Sequence, residues 1–184
     1  MTSQIIILQG GEDVKRRTNE PLFRDVRRRS SKGKILVIPW TSGSPEKEAV
    51  YSKLFHEYFS QCGFQDVLFL AKGDAENEVR RKFSEVDTVY LPGGDTGILY
   101  REIKQRGLQN MLLDFSGVMI GNSAGAIVLS KGGWGDGKFY LGFGIVDFYV
   151  SVHFNLGQDS FEEAGGAMSV NIPENMWVAV RYER

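Results

Sequence analysis

The sequence predicts an α/β fold: a doubly wound, mostly parallel sheet with helices on both faces and antiparallel strands toward its C-terminal end. Three observations carry this expectation. Short apolar runs alternate with amphipathic segments from Ile5 to Ser130, the pattern of βαβ units and a parallel sheet. Glycine-rich turns follow several of the apolar runs. After Ser130 the character changes, and "GKFYLGFGIVDFYVSVHF" and "AMSVNIPENMWVAVRY" are rich in aromatic and β-branched residues, as in antiparallel strands that finish a sheet.

The elements follow in order. Ile5–Leu8 reads as a strand, with Gly10-Gly11 as the turn after it. Asp13 to Arg29 reads as helical, its better-formed part starting at Pro21. Lys34–Pro39 is a second strand. In "TSGSPEKE" Ser44 is an N-cap, Pro45 a first-turn proline, and Glu46 and Glu48 acids that suit a helix N-terminus. That helix runs to Gln61 with Val50, Leu54, Tyr58 and Phe59 on one face. Asp66–Leu70 is a third strand, Glu76–Phe83 a helix, and Thr88–Leu91 a fourth strand ending in "PGGDTG". Thr96–Gln105 is a helix, Val118–Gly121 the fifth strand, and a helix-compatible run leads to Ser130.

With 184 residues and neither repeat nor linker, residues 1–184 are expected to form one domain. A net charge of −1 gives no overall field favouring nucleic acid or membrane, and no apolar run is long enough to span a bilayer. The stretch from Lys15 to Lys34 is basic, but without aromatic interleaving it reads as a solvated helix face. The start "MTSQIIILQGGED" lacks a basic n-region and a cleavage site, and the single Cys62 forms no disulfide within the chain; both fit a reducing, cytoplasmic setting. One cysteine and two histidines, His56 and His153, cannot build a structural zinc site, and neither a metal nor an organic cofactor is expected. Cys62, at a helix end, reads as a packed residue and His56 as an ordinary helical histidine.

Gly121-Asn122-Ser123-Ala124-Gly125 fits G-x-S-x-G, the nucleophile elbow, between an expected parallel strand and a helix. The pattern asks for tiny residues two positions either side of a serine raised on a strained turn. The Ala124 N–H, at the start of the next helix, then points toward the space beside Ser123. A serine needs a base and the base an orienting acid. His153, near the end of a strand in "YVSVHFN", is the candidate base; Asp136, Asp147 and Glu174 are candidate acids, and spacing does not choose among them. Pro92-Gly93-Gly94-Asp95-Thr96 opens a helix after the fourth strand. In a doubly wound sheet it faces the same crevice, so Gly94 can bring a second N–H to an oxyanion hole. Asp95, Thr96 and Asn122 are candidate substrate contacts, although Asp95 or Thr96 also suits a plain N-cap. No G-x-G-x-x-G follows the first strand, where Gly10-Gly11-Glu12-Asp13 stands, which leaves dinucleotide binding weak.

"YLPGGDTGILY", "IGNSAGAIVLS", the histidine of "VHF" and the late "IPEN" resemble the peptidase S51 family, which comprises aspartyl dipeptidase (dipeptidase E) and cyanophycinase. The resemblance runs from the first strand to Val180. It implies a fold related to class I glutamine amidotransferases, with serine in place of cysteine at the elbow. It also implies Ser123 as nucleophile, His153 as general base, Glu174 as acid, and Gly94 and Ala124 as oxyanion donors. In the Ser, His, acid order of that family Asp136 and Asp147 remain only as fallback acids. Two departures accompany the resemblance. Dipeptidase E carries an arginine for the aspartyl carboxylate between histidine and acid, whereas residues 154–173 here hold no Lys or Arg and include Asp159, Glu162 and Glu163. The sequence also stops soon after the Glu174 segment, so the family's final hairpin is not expected within it. The leading expectation is therefore a serine peptidase acting on short peptides, as a monomer or homodimer, with N-terminal Asp not preferred over neutral or basic residues. An esterase or amidase acting on a non-peptide acyl group, or a shortened, inactive relative that binds a small ligand or partner, are the alternatives.

Overall fold

The computed structural model describes residues 3–155 and 168–183. In chain order these form β1 (Ser3–Gln9), α1 (Glu20–Arg29), β2 (Lys34–Val37), α2 (Pro45–Gln61), β3 (Asp66–Phe69), α3 (Glu76–Glu85), β4 (Thr88–Leu91), α4 (Thr96–Gln105) and α5 (Gln109–Asp114). There follow β5 (Val118–Asn122), α6 (Ala124–Leu129), β6 (Gly132–Gly135), β7 (Lys138–Leu141), β8 (Tyr149–Ser151), β9 (Ser169–Asn171) and β10 (Trp177–Glu183). The main sheet has the order β10-β1-β5-β4-β2-β3. Its first five strands are parallel, and β10 closes one edge antiparallel to β1.

Side chains alternate across a strand, so each strand feeds two cores. Ile7, Ile35, Val37, Tyr90 and Ile120 face α1 and α2 and pack with Phe23, Phe55, Tyr58 and Phe59. Ile6, Leu8, Leu36, Val89, Leu91 and Met119 face the opposite side, against α3, α4, α5 and α6. Phe23 is fully buried and meets the rings of Tyr58, Phe59 and Tyr90 at centroid distances of 5.2, 5.0 and 5.6 Å. Burying one such ring stabilises the fold by about 1.5–3 kcal/mol. Cys62 closes the same core; burial pushes its thiol up to about 12, which leaves it a packed, unreactive group. No described helix is long and apolar enough to cross a membrane.

Three sequence expectations are corrected. The segment before α1 forms turns instead of helix, because the Asp13 carboxylate accepts from the Lys15 and Arg16 N–H groups and holds the chain in a local turn. On α2 the buried stripe is Phe55, Tyr58 and Phe59, while Val50 is 67% exposed, being rotated off that stripe. The late strands do not all finish the main sheet. Only β10 does so; β6, β7, β8 and β9 build a second sheet of order β7-β6-β8-β9, in which β6–β7 is antiparallel and β6–β8 and β8–β9 are parallel. The glycine-rich β6 and the short α5 have no strong periodic signature and went unanticipated.

Candidate active site

Strand register brings three loops together. Gln9 of β1 pairs with Asn122 of β5, and Leu91 of β4 with Gly121, so the chain leaves all three strands at one level. The exits are Gly10-Gly11, Ser123 and Gly93-Gly94. This is the carboxyl-end crevice where open parallel sheets bind ligands.

Ser123 stands alone between β5 and α6 at φ 48°, a left-handed conformation that costs a non-glycine residue energy and lifts the side chain out of the turn. Its N–H donates to Gln9 O at 3.0 Å and its carbonyl accepts from Ile127 N at 3.1 Å, so strand and helix both hold it. The flanking glycines serve close packing of the helix on the sheet. A methyl on Gly121 would stand 2.5 Å from the Gly125 carbonyl carbon, and one on Gly125 would overlap the Leu91 carbonyl. They let α6 lie directly against β5 and β4.

The smaller sheet delivers the other two residues. β8 and β9 are parallel neighbours, and His153 follows one while Glu174 follows the other, so both arrive side by side. His153 Nε2 lies 2.8 Å from Ser123 Oγ, and Nδ1 is hydrogen-bonded to Glu174 Oε2. With Nδ1–H donated to Glu174, Nε2 is left to accept the serine proton.

The fixing element is the turn after β1. Gln9 O accepts from Ser123 N at 3.0 Å, Gly10 O from His153 N at 2.8 Å, and Gly11 O from Asn175 N, next to Glu174, at 3.0 Å. Three successive carbonyls thus hold three distant segments. His153 and Asn175 have positive φ of 52° and 61°, so these bonds maintain uncommon conformations. Gly11 has no space for a side chain: a methyl there would overlap Glu174 Oε2 and stand 2.5 Å from His153 Nδ1. The sequence reading saw in Gly10-Gly11 only a turn. The available signal was its place after a strand whose carboxyl end opens on the crevice.

The loop after β4 supplies the rest. A methyl on Gly93 would touch Ser123 Cβ at 3.5 Å, which places this loop against the elbow. Gly94 has φ 134° and packs on Thr41, while the next N–H, of Asp95, is taken by Thr41 O at 3.0 Å. Ala124, the first residue of α6, has an N–H with no acceptor in its own helix. Asp95 Oδ1 caps α4 through Ile98 N at 2.8 Å, so the plain N-cap expectation describes it, yet it also lines the crevice, as does Asn122. Thr96 is buried at the start of α4 and does not line the crevice.

The fallback acids lie elsewhere. Asp136 is exposed in the β6–β7 turn at φ 52°, and Asp147 is exposed and ion-paired with Lys131 at 2.5 Å. His56 is exposed on α2. Asp159, Glu162 and Glu163 fall outside the described residues. Among the described residues no group of His, Cys, Asp and Glu forms a ligand set for a metal.

Glu12 is a residue the sequence reading missed. It lines the crevice with Ser123 and His153. Its Oε1 accepts from the Tyr58 hydroxyl at 2.5 Å and from Asn19 N at 3.1 Å, while Oε2 is buried with no partner among the described residues. Burial raises its pKa above the ordinary 4.5, and the two hydrogen bonds only partly oppose this. The unfolded chain therefore ionises first as pH rises from 4.5, so this group costs stability progressively until its folded value is passed. Glu12→Gln keeps an acceptor for both donors and removes that cost. Its melting temperature is expected to match the parent's near about pH 4 and to exceed it by a margin that grows as pH rises above 4.5 and levels off once the folded value is passed. A difference that does not grow with pH would show that Glu12 bears no buried charge.

A family model, peptidase family S51, matches residues 5–181. None of the curated proteins compared matches the chain in sequence. Two solved structures superpose over nearly its whole length. A peptidase from an acI-B1 Actinobacterium gives a TM-score of 0.69 at 19% identity, over 97% of this chain and 84% of that one. A protein described as a "Putative Peptidase E Protein", from Listeria monocytogenes EGD-e, gives 0.73 at 20% identity, over 99% of this chain and 96% of that one. At these identities the likeness is one of fold.

Proposed function

We propose a mechanism for this chain, which belongs to peptidase family S51 and is a peptidase by that membership: it hydrolyses short peptides through Ser123, His153 and Glu174. Ser123 Oγ attacks the peptide carbonyl while His153 Nε2 takes its proton. Glu174 keeps the imidazole oriented and offsets the charge that develops on it. The Gly94 and Ala124 N–H groups receive the oxyanion, aided by the start of α6. Collapse of the tetrahedral intermediate breaks the C–N bond, and His153 returns its proton to the leaving amine. Water then attacks the acyl-serine ester by the same route, its proton passing to His153 and back to Ser123, which frees the acid.

The observation that carries this reading is the 2.8 Å contact between Ser123 Oγ and His153 Nε2 on a positive-φ elbow. A fluorophosphonate probe tests it, since only a serine activated by a base reacts quickly. Rapid stoichiometric labelling is expected, mapped by mass spectrometry to Ser123 and accompanied by loss of dipeptide hydrolysis. A protein that remains unlabelled is an inactive binder, and the peptidase mechanism fails. Labelling together with hydrolysis of acyl esters but no peptide would assign the same residues to an esterase.

A further inference from the structure

The crevice beside Ser123 has a volume of about 530 Å³, within the range of small-ligand sites. One part of its wall is apolar: Val14, Tyr51, Phe55 and Ile98. Tyr51 is 46% exposed although aromatic, and its ring stacks on the buried Phe55 at 6.1 Å. An aromatic ring half open to solvent at the mouth of a catalytic crevice is a contact surface awaiting an apolar group. Among the described residues the charged groups of the same wall are two acids, Glu12 and Asp95, and one base, Lys47. Residues 154–173 bring no Lys or Arg. Arg101 and Arg181 are exposed and do not line the crevice.

We infer that Tyr51, backed by Phe55 and flanked by Val14 and Ile98, forms a subsite that selects an apolar, preferably aromatic, side chain next to the scissile bond; this rests on the peptidase mechanism above. An aspartyl side chain would be desolvated there without a bidentate arginine and would face two carboxyl groups against one exposed lysine. An aromatic side chain stacks on Tyr51 and loses no hydrogen bond on entering.

The test is kcat/KM for Phe-Ala, Leu-Ala, Asp-Ala and Ala-Ala and for the reversed series Ala-Phe, Ala-Leu and Ala-Asp. In one of the two series the phenylalanyl peptide is expected to exceed the aspartyl peptide by at least about tenfold. That series identifies whether the subsite serves the acyl or the leaving side. Tyr51→Ala should lower kcat/KM for the phenylalanyl peptide by a much larger factor than for Ala-Ala, removing most of this advantage, and Tyr51→Phe should keep it. Fluorophosphonate labelling is measured on each preparation. Labelled enzyme with a flat series, or with an aspartyl preference that Lys47→Met abolishes, overturns the apolar subsite and leaves the mechanism intact. Enzyme that does not label overturns both.

Discussion

Ser123→Ala is expected to lower peptide hydrolysis by about four powers of ten or more while the protein stays folded. The alanine loses the attacking oxygen yet needs no more room than serine in the tight turn, and the Gln9 and Ile127 backbone bonds that hold the turn do not involve the side chain. His153→Ala should fall to a similar level, because in the proposed mechanism base and nucleophile, 2.8 Å apart, act as one unit. Combining the two should therefore add little. His56→Ala, on an exposed helix position, should be close to silent. The measurement is kcat/KM on a dipeptide with far-UV circular dichroism as the control for folding. Unchanged turnover in the Ser123 variant would remove the serine mechanism altogether.

The second large effect is expected from a residue without a side chain. Gly11→Ala places a methyl into the contact between His153 and Glu174. Both are side-chain ends with freedom to move aside, so the fold should survive while the imidazole is displaced from Ser123. Misplacing a catalytic group by about 1 Å costs about 10² in rate, and kcat should fall by at least that much. Gly10→Ala meets the backbone carbonyls of Ile172 and Pro173 instead, which cannot rotate away, and should lower the melting temperature as well. Normal kcat in Gly11→Ala would mean that the His153–Glu174 pair accommodates the methyl and that the turn does not set its position.

How much of this was legible in the sequence follows from the range of the forces involved. The five parallel strands were readable because apolar runs and helical periodicity are local signals, and β4 was placed at Thr88–Leu91 as found. The turn at Ser123 between a strand and a helix was legible because its pattern lies within five residues and the turn geometry is local. The pairing of His153 with Glu174 was not readable from spacing, since it depends on β8 and β9 lying parallel across residues that carry no periodic signal. The same holds for Glu12: its burial is created by Tyr58 on α2, far along the chain. The second sheet escaped notice because β6 is mostly glycine, and its strand character comes from its neighbours.

The three carbonyls of residues 9–11 also have a kinetic meaning. They join the chain near its start to Ser123, His153 and Asn175, and β1 pairs in the same region with β10, Ser3 opposite Glu183. Contacts of such long sequence separation form late, because closing the intervening loops costs entropy before the contacts repay it. Helices and the β2–β3–β4 core can form from neighbouring segments, whereas the site has no version of itself in a chain whose first strand is undocked. Under the proposed mechanism, enzymatic activity therefore reports on completion of the fold.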